Sequence, residues 1–394
     1  MSREVPARER AIRRVLMTAD TVGGVWTYAM ELAGALAARG VEVVLATMGD
    51  PISPAQWRDA ARVPRLELRE SRYRLEWMQE PWADVEAAGE WLLDIAAEVQ
   101  PDVVHLNGYA HATLPWRVPV AVVAHSCVLS WWEAVHHRQP PAEWDRYRTR
   151  VRRGLQAADV VVSPSRAYAV ELGRLYGTVD ALRVIANGRR AELFPPLVKA
   201  QLVFAAGRLW DEAKNVQALV RAATRVRWPV LVAGAGEPPD GGGVDTGKLC
   251  FLGKLSTSEI ASWMGRATIY ALPARYEPFG LSVLEAALAR CALVLGDIPT
   301  LRETWDGAAE FVAPDDGDAL AAAIESLTRD PGRCARLAER ARTRALALTP
   351  AAMAERYLAV YRELAESGRC GCNAGLRITA GGSSAADATF RHGS

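Results

Sequence analysis

The apolar positions of this chain alternate between two periods. Short apolar runs, typical of buried parallel strands, recur between segments with the 3.6-residue period of amphipathic helices. At the start, residues 12–17 predict a strand, residues 26–38 a helix and residues 41–47 a second strand. Gly40 stands where the end of a helix favours a left-handed residue. Strand, glycine turn, helix and strand in this order predict a parallel βαβ unit.

The same alternation continues to residue 185. The predicted elements are, in chain order, helix 82–99, strands 103–106 and 120–124, helix 142–157, strand 160–162, helix 165–176 and strand 182–185. Residues 193–199 contain two adjacent prolines, Pro195 and Pro196. Such a segment is typical of a linker between domains.

The alternation of predicted strands and helices starts again at residue 202. The further elements are strands 202–205 and 230–233, helix 215–225, strand 268–272, helix 281–290, strand 292–295, helix 319–327 with Asp318 as its cap, and a last helix from 350 to about 366. Ser256 and Glu259 have the spacing of a capping box before a short helix. Thr349-Pro350 is typical of an N-cap followed by proline at the first helical position. Residues 236–247 are rich in Gly, Pro and Asp, and they predict a loop.

Two successive α/β halves predict two Rossmann-like, doubly wound parallel-sheet domains that face a central cleft. We expect an N-terminal domain at 1–192, completed by the helix at 350–366, and a C-terminal domain at 201–349. Residues 368–394 are rich in Gly, Ser and Ala and predict a disordered tail. A chain of 394 residues suits two domains of this size. Ligands of such sheets bind at the carboxyl ends of the strands, so the cleft is the expected site.

Net charge, the length of apolar runs and cysteine spacing argue against several classes of function. The formal net charge is +1, which gives no electrostatic argument for nucleic acid as a partner. No apolar run reaches the roughly 18–20 residues that span a bilayer, and the charged N-terminus has no apolar signal core. We therefore expect a cytoplasmic protein. The six cysteines match no zinc spacing, so no metal site is expected.

The strongest chemical signal is the segment Arg275–Glu285, which follows a predicted strand and enters a helix near Gly280. The free N–H groups and positive dipole end of a helix N-terminus favour phosphate. Glu277, just before the helix, suits sugar hydroxyls, and Glu285, inside it, suits the two hydroxyls of a ribose. The alternative is that Glu277 is a solvated loop charge and Glu285 a surface residue.

A second signal follows the first strand of the second half. Arg208 and Lys214 lie within Gly-Arg-Leu-Trp-Asp-Glu-Ala-Lys, and both can reach a pyrophosphate. Two fixed cations can replace Mg²⁺ because negative charge develops on the departing phosphate. The alternative is an ordinary solvated loop.

Three weaker signals remain. Gly23-Gly24 follows the first strand as a phosphate loop does, although a tight βα turn that needs glycine explains it better. His125 follows the strand 120–124 and is expected to face the cleft, although a lone histidine is often structural. Asp315-Asp316-Gly-Asp318 precedes a helix, and there we expect capping rather than metal binding.

Together these residues resemble a known family. Glu277–Glu285 matches the Glu-x₇-Glu motif of the retaining glycosyltransferases of family 4, which have the GT-B fold. The match includes Gly-Gly-Val after the first strand, Val-x-x-Ser-Pro-Ser at 160–165 and Ile-x-Asn-Gly at 185–188, and it covers most of residues 12–365.

The resemblance implies a role for each matching residue. Arg208 and Lys214 would bind the donor diphosphate, and Glu277 would contact the transferred sugar. Glu285 would hold the ribose, and His125 would lie by the reactive face of the sugar. Arg208, Lys214, Glu277 and His125 are thus the candidate catalytic residues.

The resemblance also implies contacts between the backbone and the donor. Gly24 would approach the donor phosphates, with Gly23 beside it. Phe279 and Gly280 would offer backbone donors, with Leu281 next to them. The last helix would cross back to pack on the first domain.

The chain departs from the family pattern at three places, one of which is the Gly-rich stretch at 236–243. Ser126 stands where many relatives have Asp after the histidine. Arg189-Arg190 stands where many have Val-Asp after Asn-Gly. These departures concern the donor and acceptor rather than the fold.

The function that the resemblance implies is transfer of a hexose-type sugar from a UDP- or GDP-sugar with retention, without a metal or other cofactor. A glycan, a lipid-linked sugar or a small molecule remains open as acceptor. Five tryptophans of the first half suit packing, a sugar platform or peripheral contact with the inner membrane surface: Trp77, Trp82, Trp131, Trp132 and Trp144. An epimerase or hydrolase on the same scaffold, or a non-catalytic sugar-nucleotide-binding homologue, are the alternatives.

Overall fold

A computed structural model describes residues 11–179, 181–235 and 247–367. The predicted loop at 236–247, except Gly247, and the predicted tail at 368–394 lie outside the described residues. The described chain forms two separate β-sheets in which every strand pair is parallel. The α/β class and the two doubly wound sheets predicted from the sequence are therefore confirmed.

The first sheet has seven strands in the order β3-β2-β1-β4-β5-β6-β7. Its strands are β1 (Arg14–Asp20), β2 (Glu42–Met48), β3 (Leu66–Glu70), β4 (Val103–Leu106), β5 (Val120–Val123), β6 (Val160–Ser163) and β7 (Leu182–Val184). The helices between them are α1 (Gly24–Ala37), α2 (Pro54–Ala60), α3 (Trp82–Val99), α4 (Val128–His136), α5 (Asp145–Ala157) and α6 (Arg166–Tyr176). The strand order reverses beside β1, which places a binding crevice at its carboxyl end.

The second sheet has six strands in the order β10-β9-β8-β11-β12-β13. Its strands are β8 (Ala200–Ala206), β9 (Val230–Ala233), β10 (Cys250–Phe251), β11 (Ala267–Leu272), β12 (Ala292–Gly296) and β13 (Ala309–Val312). The helices are α7 (Val216–Ala223), α8 (Thr257–Arg266), α9 (Leu281–Leu288), α10 (Pro299–Trp305), α11 (Gly317–Arg329), α12 (Pro331–Ala345) and α13 (Pro350–Ser367).

Each sheet is covered on both faces because its strands are apolar at successive positions. In β1, Val15 and Met17 belong to one core cluster and Leu16 to the cluster on the other face. In β8, Phe204 belongs to the core cluster on one face and Val203 to the cluster on the other. Continuous apolar strands of this kind are typical of parallel sheets buried between helices.

The last helix returns to the first sheet. Tyr357 and Tyr361 of α13 are fully buried in the core cluster that contains α1. The chain passes between the two halves twice, and the two passages touch. Arg189 N donates to Leu348 O at 3.0 Å, and a Cβ atom on Gly188 would lie 2.3 Å from the Thr349 backbone. Only glycine fits at this contact.

Most predicted elements are confirmed within a few residues, and so are the caps at Ser256 and Thr349. One cap prediction was wrong: helix α11 begins at Gly317, and Asp316 rather than Asp318 accepts the hydrogen bond from Ala319 N. The pattern missed seven elements: α2, β3, α4, β10, α10, β13 and α12. Strand β3 is a charged edge strand, and α12 is rich in arginine, so neither shows a strong apolar period.

Candidate active site

The glycine turn after β1 meets the second half of the chain. Gly23 has a φ of +105°, a conformation that glycine adopts without strain. A Cβ atom on Gly23 would lie 3.5 Å from Nη1 of Arg208, and one on Gly24 would lie 3.5 Å from Cδ1 of Leu281. The structure thus brings four of the predicted donor-site residues together where the two halves face each other.

Glu277 and Lys214 form an ion pair beside the start of α9. The other carboxylate oxygen, Glu277 Oε1, accepts a hydrogen bond from Gly280 N at 3.0 Å. Gly280 has a φ of +87° and begins the helix, and Phe279 before it packs into the core. A cation, a carboxylate and the free N–H groups of a helix end therefore converge at one point, which suits a phosphorylated sugar.

Arg208 lies at the edge of the same site, and its side chain is 42% exposed. Its guanidinium pairs with Asp211 Oδ2 at 2.9 Å and lies over the ring of Trp210. Asp211 Oδ1 accepts from Ala213 N at 3.0 Å and from Trp131 Nε1, on α4 of the first half, at 2.9 Å. Asp211 therefore positions the arginine and joins the two halves.

Only 13% of the Glu285 side chain is exposed, so the alternative of a surface position is wrong. Arg189 Nε donates to Glu285 Oε1 at 2.7 Å, and Arg189 Nη1 pairs with Glu31 of α1. Arg190 Nε reaches the other oxygen of Glu31 at 3.0 Å. Burial raises the pKa of the Glu285 carboxyl, and the charge and hydrogen bond of Arg189 oppose that rise.

His125 lies two residues beyond β5, at the carboxyl edge of the first sheet. Its Nε2 is 2.8 Å from the amide oxygen of Asn107, which assigns the proton to Nε2. The ring packs edge-on against Tyr28 with centroids 4.5 Å apart. Burial lowers the pKa of His125 to about 3, with a smaller effect from His105, so the imidazole is neutral near pH 7.

Sequence reasoning missed Asp20, the last residue of β1. Its Oδ1 accepts a hydrogen bond from Val22 N in the glycine turn. Burial raises the pKa of Asp20 to about 7, against the opposing effects of the Val22 amide, the Arg208 charge and a hydrogen bond with Trp77. The signal that could have found it is a carboxylate at the carboxyl end of β1, next to the point where the strand order reverses.

The loop that contains Glu277 also crosses to the first half. The hydroxyl of Tyr276 accepts from Cys127 N at 3.2 Å and is 2.8 Å from Ser130 Oγ. Ser165 Oγ donates to Pro278 O at 2.9 Å. Glu303 accepts from the first two amides of α6, at 2.8 and 2.7 Å. These contacts hold the two halves against each other around the site.

The five tryptophans singled out in the first half form no exposed patch. Trp82 is buried, and the other four (Trp77, Trp131, Trp132 and Trp144) are half-buried. Trp77, Trp82 and Trp144 pack in core clusters, Trp131 donates to Asp211, and the ring of Trp132 contacts that of His136. Packing is thus the role that the structure shows for them.

The described residues contain neither the side-chain cluster of a metal site nor a helix able to cross a bilayer. Within residues 11–179, 181–235 and 247–367, no cluster of three or more His, Cys, Asp or Glu side chains has the arrangement of a metal site. In the same ranges, no helix combines the length and apolar character needed to cross a bilayer.

Two family models together match most of this chain. The model described as Glycosyltransferase Family 4 matches residues 22–193, and the model described as Glycosyl transferases group 1 matches residues 200–330. A glycogen synthase of Mycobacterium tuberculosis is 30% identical over 278 residues, which are 62% of this chain and 64% of that protein. The chain thus matches less than two thirds of that relative's length.

Solved structures show the same architecture. Sucrose-phosphate synthase from Thermosynechococcus elongatus superposes with a TM-score of 0.78 at 20% identity, over 90% of this chain and all of that one. The Anabaena protein HepE, solved in complex with UDP and glucose, superposes with a TM-score of 0.70 at 14% identity, over 89% of this chain and all of that one. The two family models thus identify the chain as a glycosyltransferase of the families that they describe, Family 4 and group 1. The solved structures show that its two facing parallel-sheet halves have the GT-B fold.

Proposed function

We propose that this protein is a retaining glycosyltransferase that moves a hexose-type sugar from a UDP- or GDP-sugar to a hydroxyl of a glycan, a lipid-linked sugar or a small molecule. One observation carries the proposal: Arg208, Lys214 and Glu277 converge at the N-terminus of α9, opposite the Gly23-Gly24 turn. That arrangement suits a diphosphate joined to a sugar, because it offers cations, free amides and a hydroxyl-binding carboxylate.

The proposed chemistry needs neither a metal ion nor a cofactor besides the donor. The acceptor hydroxyl attacks the anomeric carbon from the face that the diphosphate leaves, which retains the configuration. The bond between that carbon and the diphosphate oxygen breaks, and the same oxygen takes the proton of the acceptor. Arg208, Lys214 and the amides of α9 stabilise the negative charge that develops on the diphosphate.

Positioning is the second contribution of the protein in this proposal. Glu277 holds hydroxyls of the transferred sugar, and neutral His125 offers a hydrogen-bonding ring without adding positive charge at the anomeric carbon. The contacts of Tyr276, Ser165 and Glu303 across the two halves exclude water, which limits hydrolysis of the donor. Relatives support the assignment: one is a glycogen synthase, and HepE was solved with UDP.

The proposal is tested by thermal unfolding with UDP, GDP and their hexose conjugates in the presence of EDTA. A ligand at 100 times its Kd raises native-state stability by about 2.7 kcal/mol. We expect one nucleotide series to stabilise the wild type and to lose the effect in Glu285→Ala. The anomeric configuration of the product, read by NMR, then tests retention. If no nucleotide stabilises the wild type, or if the product is inverted, the proposal is wrong.

A further inference from the structure

Arg189 is one of the residues at which this chain departs from the family pattern, and its charged side chain is almost fully buried. The side chains of Glu31, Arg189 and Glu285 are 1%, 7% and 13% exposed and form a buried ionic triad. The three come from different parts of the fold: Glu31 from α1, Glu285 from α9 and Arg189 from the passage between the halves. Charged groups are rarely buried unless each has a partner.

Two nitrogens of the Arg189 guanidinium each face a different carboxylate. Arg189 Nε faces Glu285 Oε1 at 2.7 Å, and Nη1 faces Glu31 Oε1. The guanidinium also lies over the Phe194 ring, with its central carbon 5.0 Å from the ring centroid. A planar group held on two edges and one face has one orientation, and it therefore fixes the carboxylate of Glu285 as well.

The backbone of Arg189 is equally constrained. Its amide donates to Leu348 O, and Gly188 before it packs against Thr349 with no room for a side chain. The side chain thus extends from the point where both passages between the halves touch. Among the described residues, no hydrogen bond engages the second oxygen of Glu285, Oε2, so that oxygen is available to a ligand.

We propose that Arg189 is a positioning residue that orients the Glu285 carboxylate for the ribose hydroxyls of the donor nucleotide. This inference rests on the proposed function, since it takes Glu285 as the ribose ligand. Glu31 anchors the guanidinium from the other half, so the ribose contact forms only when the two halves are together. Arg190 shares Glu31 but does not contact Glu285, and its side chain is 56% exposed.

The test measures binding of UDP and GDP, and of their 2′,3′-dideoxy forms, by calorimetry. The variants are Arg189→Gln, Arg189→Lys and, as matched control, Arg190→Ala. A hydrogen bond to a charged group contributes enough that its loss weakens binding about 10- to 100-fold. We expect that loss in Arg189→Gln for the nucleotide with ribose hydroxyls, and no loss for the dideoxy form. Arg190→Ala should bind both forms as the wild type does.

The lysine variant covers the case in which Arg189→Gln does not fold. Lysine keeps the charge but cannot face both carboxylates with a planar fork, so we expect a smaller loss that again affects only the hydroxyl-bearing nucleotide. Equal losses for both forms, or unchanged binding in the arginine variants, would overturn the inference and leave the proposed function standing. Failure of UDP and GDP to bind the wild type would instead overturn the proposed function, and this inference with it.

Discussion

Trp131 and Asp211 join the two halves of the molecule through one hydrogen bond, from the indole Nε1 to Oδ1 at 2.9 Å. The other oxygen of Asp211 holds Arg208. A tryptophan of the first half thereby acts on an arginine that the proposed chemistry places at the leaving group. Any effect of Trp131 on turnover would therefore pass through Asp211 and Arg208, without a contact between Trp131 and the substrate.

The first prediction follows from these two contacts of Asp211 with Trp131 and Arg208. Trp131→Phe keeps the aromatic packing but removes the hydrogen bond to a charged acceptor, so we expect kcat/KM to fall roughly tenfold. The matched control is Trp57→Phe on α2, because Trp57 is exposed and is not among the hydrogen-bond partners of Asp211. The measurement is the initial rate with the UDP- or GDP-sugar that stabilises the wild type in the thermal unfolding experiment. Equal rates for the two variants would show that the hydrogen bond from the Trp131 indole to Asp211 does not affect turnover.

The second prediction concerns Arg208 itself. If the guanidinium stabilises charge on the leaving diphosphate, Arg208→Ala should lower kcat by about 100-fold or more. Arg208→Lys should recover only part of the loss because it lacks the planar fork. Arg225→Ala, which removes an exposed ion pair with Asp318, is the control and should turn over normally. Unchanged kcat in Arg208→Ala would contradict the electrostatic role.

The third prediction concerns the start of α9. A Cβ atom on Gly280 would lie 3.2 Å from both Leu301 and Val283, at a φ of +87°. Gly280→Ala is therefore expected to destabilise the protein by about 1–3 kcal/mol and to weaken nucleotide binding, because the amide that holds Glu277 must move. Urea unfolding and calorimetry measure the two effects.

Gly173 provides a matched control for that variant. It lies inside α6, and a Cβ atom there would meet nothing within 4 Å. Gly173→Ala should therefore stabilise the protein by about 0.5–1 kcal/mol, since glycine is unfavourable within a helix. If both alanine variants had the same stability, the backbone at Gly280 would not be under the constraint described here.

The fourth prediction is a dependence of stability on pH. His105 is fully buried, its Nδ1 is 2.5 Å from the Tyr361 hydroxyl, and burial lowers its pKa from 6.5 to about 4. Below pH 6.5 the unfolded chain binds a proton at this residue that the native state does not. His105 should thus lower the free energy of unfolding by on the order of 3 kcal/mol as the pH drops from 6.5 to 4. Asp20, whose pKa is raised to about 7, has the opposite effect over the same range, so the contribution of His105 is measured against a variant that lacks it.

His125 has the same sign of shift and adds to this loss. Urea unfolding between pH 7.5 and 4.5 measures it, with His105→Gln as the comparison. The variant is less stable at neutral pH, but its stability should depend less steeply on pH. Parallel pH profiles for the wild type and the variant would exclude His105 as a source of the dependence.

Local patterns of the sequence determined the fold class and much of the candidate site. Apolar runs and helical periods depend on neighbours a few residues apart, so they predicted most strands of both sheets and the helix after Glu277. The motif from Glu277 to Glu285 likewise lies within one strand-to-helix connection, where spacing alone places a carboxylate, a glycine and a helix end together.

Only the tertiary structure decided which distant side chains meet. Arg189 and Glu285 are 96 positions apart, and Trp131 and Asp211 are 80 apart, so no periodicity relates them. The sequence marked Arg189 as a departure and Trp131 as one of several packing residues. Their partners are set by how two independently patterned sheets face each other, because contacts between domains depend on relative position and burial, which local patterns do not encode.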